Sequence, residues 1–284
     1  MDISKLKIAG FSLHTKLQKE IIKDGPKSRL EGADLSCPPL FQQDFCRYGL
    51  SNENYHKGTL FVSSSKLKKL SKTEKHFTDE SLSIFAAATL NNFALGTLVH
   101  DDLEFKSETG SWGKWKAGTF KTKTTIKKDS WEVHESVFKM IQRYRKEFES
   151  NEILQQILDF SDAEVSFFDE KRKLKVRPDA LIQNGERLEV IDYKSVADIA
   201  KFKYDLYSYG YDISAGMYAD VIENLTGMKV GFTFVLISKK TGLTKIVEIS
   251  DATLEVYKKK FLDLYEKSKN IDLEKPIGYP LQII

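Results

Sequence analysis

Apolar and polar positions change their period several times along the chain, and each change marks an element. The stretch SKLKKLSKTEKHF, from Ser65, spaces leucines among lysines as a short helix does, with the Ser65 hydroxyl placed to accept a first-turn N–H. Residues 81–105, SLSIFAAATLNNFALGTLVHDDLEF, are rich in Ala and Leu, which predicts a largely buried helix with His100 near its end. Asp129 or Ser130 is placed to cap a long amphipathic helix, WEVHESVFKMIQRYRKEFES, over 131–150. The period then falls towards two. Residues 163–168 read as a short apolar strand, DEKRK as a turn, 174–182 as a second strand and 187–193 as a third, together a β-meander. A helical segment over 198–225 ends at Thr226-Gly227, since glycine tolerates the left-handed conformation that stops a helix. Residues 229–238, with GFTFVLIS as their core, predict an apolar strand, 244–249 its hairpin partner and 251–269 an amphipathic helix. This order predicts a mixed α/β layer fold. Residues 1–54, with short apolar runs around Pro38-Pro39, read as an extension of unknown role.

Composition narrows the function classes. With 284 residues, 41% of them hydrophobic and 30% charged, the chain can bury a sizeable core as one large domain or one domain with an extension. No run approaches the roughly 18 consecutive apolar residues of a membrane span. The start, MDISKLKIAG, lacks the apolar region of a secretory signal, so a soluble, cytoplasmic protein is expected, with no membrane partner. Cys37 and Cys46 are too few for a disulfide framework, a four-cysteine zinc site or a cysteine-held iron–sulfur cluster.

Charge adds little in sum and more in distribution. The 44 Lys and Arg against 41 Asp and Glu leave only +3. Yet residues 109–128 contain no acid, while Lys114, Lys116, Lys121, Lys123, Lys127 and Lys128 stand among Trp112, Trp115 and Phe120. A second basic run holds Lys66, Lys68, Lys69, Lys72 and Lys75. Each run is either a solvated face or a grip on phosphates. The tryptophans read as packing or oligomer contacts before a DNA wedge. Tyr204, Tyr207, Tyr211 and Tyr218 recur near one helix face, where core packing is expected. His14, His56, His76 and His134 read as surface or capping residues.

The most informative stretch begins at Glu164, passes Arg177-Pro178-Asp179 and reaches Ile191-Asp192-Tyr193-Lys194. Asp179 closes one predicted strand and Asp192 the next, so adjacent strands would bring the two carboxylates together. Strand alternation projects Asp192 and Lys194 from one face and turns Tyr193 away, leaving its carbonyl free to face the site. Two carboxylates and a carbonyl are hard ligands suited to Mg²⁺ or Mn²⁺, with Glu164 able to complete the set. The Lys194 ammonium would sit over an attacking water. Such a set fits phosphodiester hydrolysis, in which a cation stabilises the leaving oxygen and a lysine offsets developing charge. Asp-x-Lys alone would more simply make a surface salt bridge.

In this order of Glu164, Arg177-Pro178-Asp179 and Asp192-Tyr193-Lys194 the chain resembles the PD-(D/E)XK nuclease superfamily. More narrowly, IDYKSVADIAKFKYDLYSYGYDISAGMYADVIENLTG followed by FTFVLIS is similar to the RecE, or exonuclease VIII, type of phage and prophage recombination exonuclease. Tyr55-His56 with SSSKLKKLSKTEKHF, and GTLVH ending at His100, agree with it. The resemblance covers about 55–270, leaving 1–54 as an extension and 271–284 as a tail. It implies a mixed central β-sheet flanked by helices. It further implies that His100, Asp179 and Asp192, with the Tyr193 carbonyl, hold Mg²⁺ (Mn²⁺ as substitute), that Lys194 is catalytic and that Glu164 is an acid of the same site. The implied activity is digestion of linear double-stranded DNA from 5′ ends by a ring-shaped homo-oligomer, leaving 3′ single strands for a single-strand annealing protein.

Two departures stand out. Ser214 occupies the place where a DNA-contacting Gln is usual, and DDLEF lacks the usual Pro after Glu. A hydroxyl reaches less far than an amide. Ser65 and Lys66, at the start of the basic helix, are either a cap or a phosphate seat. The alternatives are a structure-specific or restriction-type endonuclease of the same superfamily, and a non-catalytic DNA-binding protein.

Overall fold

Two long apolar strands organise the molecule. In the computed structural model, which describes residues 45–47, 50, 54–55, 61–72, 93–121, 126–128, 130–184 and 187–271, β9 (Arg187–Val196) and β10 (Lys229–Ser238) pair in parallel. The register runs from Lys229↔Arg187 to Ser238↔Val196. Both strands are buried on both faces, as parallel strands covered by helices on either side must be. A hairpin adds β11 (Thr244–Ile249) to β10, and β8 (Ala180–Asn184) and β5 (Asp162–Ala163) extend the other edge, giving the order β11-β10-β9-β8-β5. Two three-stranded sheets flank it. One contains β1 (Cys46–Arg47), β6 (Ser166–Asp169) and β7 (Leu174–Val176); the other contains β2 (Lys116–Gly118), β4 (Glu132–His134) and β3 (Ile126–Lys127).

Helices cover the two faces of the central sheet. On one face Leu188, Val190, Phe232 and Phe234 belong to a core shared with α1 (Ser64–Leu70), α6 (Tyr211–Thr226) and α7 (Asp251–Lys269). On the other, Ile191, Tyr193, Val235 and Ile237 share a core with α2 (Phe93–Thr109), α3 (Glu135–Ser150) and α4 (Glu152–Phe160). Each fully buried Leu, Ile or Phe side chain contributes about 1.5–3 kcal/mol through removal of apolar surface from water. Gly216 permits the closest approach in the first layer, because a Cβ there would lie 2.2 Å from the Tyr257 carbonyl oxygen of α7. The expected mixed α/β architecture, with a central sheet between helices, is therefore present. Among the described residues no helix is long and apolar enough to cross a membrane.

Several local expectations change. The helix expected over 131–150 starts only at Glu135: Glu132–His134 pairs with β2 and β3, and the His134 ring nitrogen accepts the Ser136 N–H as the cap. Asn151 then starts α4, its Oδ1 accepting from the N–H groups of Ile153 and Leu154. The strand expected over 163–168 breaks at Glu164, whose φ is 52°, sending β5 and β6 into different sheets. The next expected strand divides around Arg177-Pro178-Asp179, so the meander is not formed; Pro178 has no N–H to give a ladder. The helix expected over 198–225 becomes a 3-10 turn (Ile199–Lys201), α5 (Phe202–Ser208) and α6, broken at Gly210 with φ 65°. This break puts the four tyrosines on two helices, with Tyr204 and Tyr207 exposed. Gly227, with φ 71°, ends α6 as expected. The expectations for residues 1–44, Cys37 among them, for His56, Lys75, His76, 81–92, Lys123, Asp129 and 272–284 lie outside the described residues.

Candidate active site

The break between β7 and β8 places the first carboxylate. Asp179 precedes β8 instead of closing a strand, and Asp192 lies inside β9. The antiparallel register Ala180↔Ile191, continued by one residue, sets Asp179 across from Asp192. The left-handed Glu164 backbone turns its N–H to the Asp179 carbonyl at 3.3 Å, so all three acids start from one corner of the central sheet.

The side chains converge there. Asp179 Oδ1 lies 3.3 Å from His100 Nδ1, and Oδ2 accepts the Tyr193 N–H at 2.6 Å. Lys194 forms an ion pair with Asp192 Oδ2 and donates to the Tyr193 carbonyl at 3.3 Å. The buried Asp192 Oδ2 meets this one ammonium and has no further hydrogen-bond donor on it. Tyr193 turns its ring into the opposite core, as alternation requires. Helix α2 can bring His100 this close because Gly96 passes β9 at a point where a Cβ would sit 2.9 Å from Ser195 Oγ.

Charge and burial oppose each other at these groups. Burial pushes the Asp192 carboxyl up, and Lys194 recovers only part of that shift. Asp179 goes the other way: burial would raise it, but His100, Lys194 and the Tyr193 N–H together hold it below the usual range. Burial would lower both His100 and Lys194, yet Asp179 raises the histidine, and Asp192 with Asp179 raises the lysine. The centre thus holds Lys194 protonated between two carboxylates.

Two flanks were not foreseen. On the α2 side, Glu104 and Glu108 follow His100 at four-residue steps along one face, a spacing the sequence displays. Burial, then the charge of Glu104, pushes Glu108 up to about 7. Burial and the Asp179 charge push Glu164 up to about 8, although Arg177 pairs with it at 2.6 Å. Arg177 in turn lies over the Tyr55 ring, 4.3 Å from its centroid. On the α6 side, the ammonium groups of Lys68 and Lys194 lie 5.2 and 5.4 Å from the centroid of one ring, that of Tyr211. Their conjunction had no local signal, because it depends on α1 docking against α6.

The remaining candidates sit as follows. Ser65 faces solvent on α1, Lys66 is half-buried beside it, and Ser214 is buried on α6 one turn past Tyr211. The expected Ser65 cap is replaced by Ser63, which makes no side-chain cap bond, while the neighbouring Ser64 hydrogen-bonds Tyr218. Trp112 packs edge-on against Tyr144 and Phe148 and donates to Glu149, and Trp115 is buried against Trp131, so both serve packing.

Helix α2 is held in place by a buried lock. Asp102 accepts from the Tyr144 hydroxyl at 2.5 Å, from Arg145 Nε at 2.9 Å and Nη2 at 2.5 Å, and from the Gly113 N–H at 3.3 Å. The adjacent Asp101 pairs with Lys128 of the basic segment.

The donor chemistry fits a hard divalent cation. Asp192 Oδ2 is a buried oxygen with Lys194 as its one partner, Asp179 accepts the N–H of the next residue, Tyr193, and Lys194 links Asp192 to the Tyr193 carbonyl. Among the described residues, no group of three or more His, Cys, Asp and Glu side chains is already placed to hold a metal ion.

A family model described as "PDDEXK-like domain of unknown function (DUF3799)" matches residues 63–275. No curated protein matches the chain. Among solved structures, a crystal structure of a Eubacterium rectale protein described as a "Putative exonuclease" superposes with a TM-score of 0.54 and 18% sequence identity. The match covers 81% of this chain and 96% of that one.

Proposed function

We propose that the chain, which belongs to the PDDEXK-like domain family and so to the PD-(D/E)XK nuclease superfamily, is a Mg²⁺-dependent nuclease that removes nucleotides from the 5′ ends of linear double-stranded DNA. One observation carries the reading: Asp192, Asp179 and Lys194 converge at a sheet corner where a buried carboxylate oxygen has a single ammonium as its partner. Asp179, Asp192 and the Tyr193 carbonyl, with His100 beside them, would hold the cation. Bound there, it supplies charge stabilisation at the phosphate and acidifies water.

The chain's own groups set the geometry. Asp179 is fixed by the Tyr193 N–H and by His100, so its orientation precedes substrate. Lys194, held by Asp192 and the Tyr193 carbonyl, presents an ammonium that orients water and offsets charge on the phosphate as the new P–O bond forms. The bond from phosphorus to the 3′ oxygen breaks, leaving a 3′-hydroxyl and a 5′-phosphate. Glu164 stands beside this centre as the acid paired with Arg177. Ser65, Lys66 and Ser214 are assigned to DNA contact. Polarity, 3′ overhangs for a single-strand annealing protein, and a ring-shaped oligomer rest on the resemblance to RecE-type exonucleases.

Digestion of linear 5′-phosphorylated duplex beside covalently closed circular DNA, with Mg²⁺ or EDTA, tests the proposal in wild type and Asp192→Ala. Loss of the linear substrate alone, requiring both Mg²⁺ and Asp192, supports an exonuclease. Cutting of the circle moves the reading to an endonuclease, and binding without cutting to a DNA-binding protein.

A further inference from the structure

The second lysine on Tyr211 has no place in the chemistry above. Lys68 lies in the second turn of α1, and its stem packs over Gly210, where a Cβ would sit 3.1 Å from Lys68 Cγ. Its ammonium reaches the ring that also takes Lys194. Lys194 has a carboxylate and a carbonyl as partners; among the described residues, no carboxylate lies within ion-pair distance of Lys68. Burial, and then repulsion from Lys194, pulls Lys68 down to about 8, against the more distant attraction of Asp192 and Asp212. A cation kept there without a carboxylate partner is electrostatically costly, and an anion arriving beside Lys194 would relieve that cost. Tyr211 offers both cations one ring, whose π-system attracts them without neutralising either.

We infer that Lys68 is a substrate-contacting residue that binds a backbone phosphate of the DNA strand being cut, beside the phosphate served by Lys194. The inference rests on the nuclease reading and adds a substrate-binding contact to it. It explains why α1 docks by its Lys68 stem at the left-handed Gly210 that starts α6: that docking sets the distance between the two ammonium groups. A lysine suits this role as a compact point charge that needs no fixed fork geometry.

Full-length Lys68→Met, which keeps the stem and removes the charge, and Lys68→Arg, which restores a charge, should be compared with wild type on 5′-phosphorylated duplex. Binding is measured in EDTA across a salt series, and cutting in Mg²⁺. Lys68→Met is expected to weaken binding by about tenfold or more. It should also make the slope of log affinity against log salt shallower by about 0.7–0.9, the signature of one lost phosphate contact. Lys68→Arg should recover most of both. A lower kcat in Lys68→Met with the wild-type salt slope would overturn the inference, because a residue that only positions Tyr211 or Lys194 leaves the number of phosphate contacts unchanged. Equal affinity and slope in all three proteins would overturn it too. If wild type binds but does not cut, the slopes still decide on Lys68 while the nuclease reading falls; if it neither binds nor cuts, both fall.

Discussion

Asp102 on α2 and Asp192 on β9 are both buried aspartates, and the protein treats their oxygens in opposite ways. Asp102 is wrapped by a tyrosine hydroxyl, two guanidinium nitrogens and a backbone N–H, which ties α2 to α3 and to the loop ahead of β2. The buried Asp192 Oδ2 has one ammonium, that of Lys194, against it and no further donor. Satisfying every lone pair of a buried carboxylate makes it a structural joint. Giving one a single ammonium leaves lone-pair capacity for something that arrives later.

The contrast can be broken by substitution. Asp102→Ala leaves Arg145 without its buried partner and should cost about 3–5 kcal/mol in urea or thermal unfolding. A cost below 1 kcal/mol would show that the lock does not hold α2. Asp192→Asn should do the reverse, losing far less stability while lowering kcat about 10²–10³-fold in a single-turnover cleavage assay. Near wild-type cutting in a folded Asp192→Asn protein would remove Asp192 from the centre. Gly216→Ala, in the opposite helical layer, should cost about 1–3 kcal/mol, because the new methyl meets the α7 backbone and not a flexible side chain. This sets the scale of a pure packing defect against which the Asp102 result is read.

The smallest effect concerns Glu108. Its pKa is raised to about 7 in the folded chain, so between the unfolded value of 4.5 and about 7 the native state binds more protons than the unfolded one. Stability from this group therefore falls as pH rises through that window. Glu108→Gln cannot ionise, so its melting temperature relative to wild type should rise between pH 5 and pH 8. A flat difference would mean that Glu108 ionises normally.

Legibility followed the range of the forces involved. Strands β9 and β10, the hairpin to β11 and helix α7 could be read because long apolar runs and a helical period carry their own evidence. The order of Glu164, Asp179, Asp192 and Lys194 was visible, and so was the alternation that puts Asp192 and Lys194 on one face. Their surroundings were not. Ser65 was expected as a helix cap, and Ser63 stands in that position instead. Residues 132–134 carry a helical pattern and become strand, because two neighbouring segments offer ladder partners that local propensity cannot anticipate.

By itself, then, the sequence determined the element types wherever burial is periodic, the mixed α/β class, and the set of acids and lysine available for chemistry. Tertiary structure alone decided that Glu164 breaks its strand, that Asp102 takes four donors while Asp192 Oδ2 takes one ammonium, and that Lys68 reaches the ring beside Lys194. Periodicity is a property of neighbours in the chain. Whether a polar group finds a partner depends on segments tens of residues away, docked at a spacing that one glycine or one register step can change.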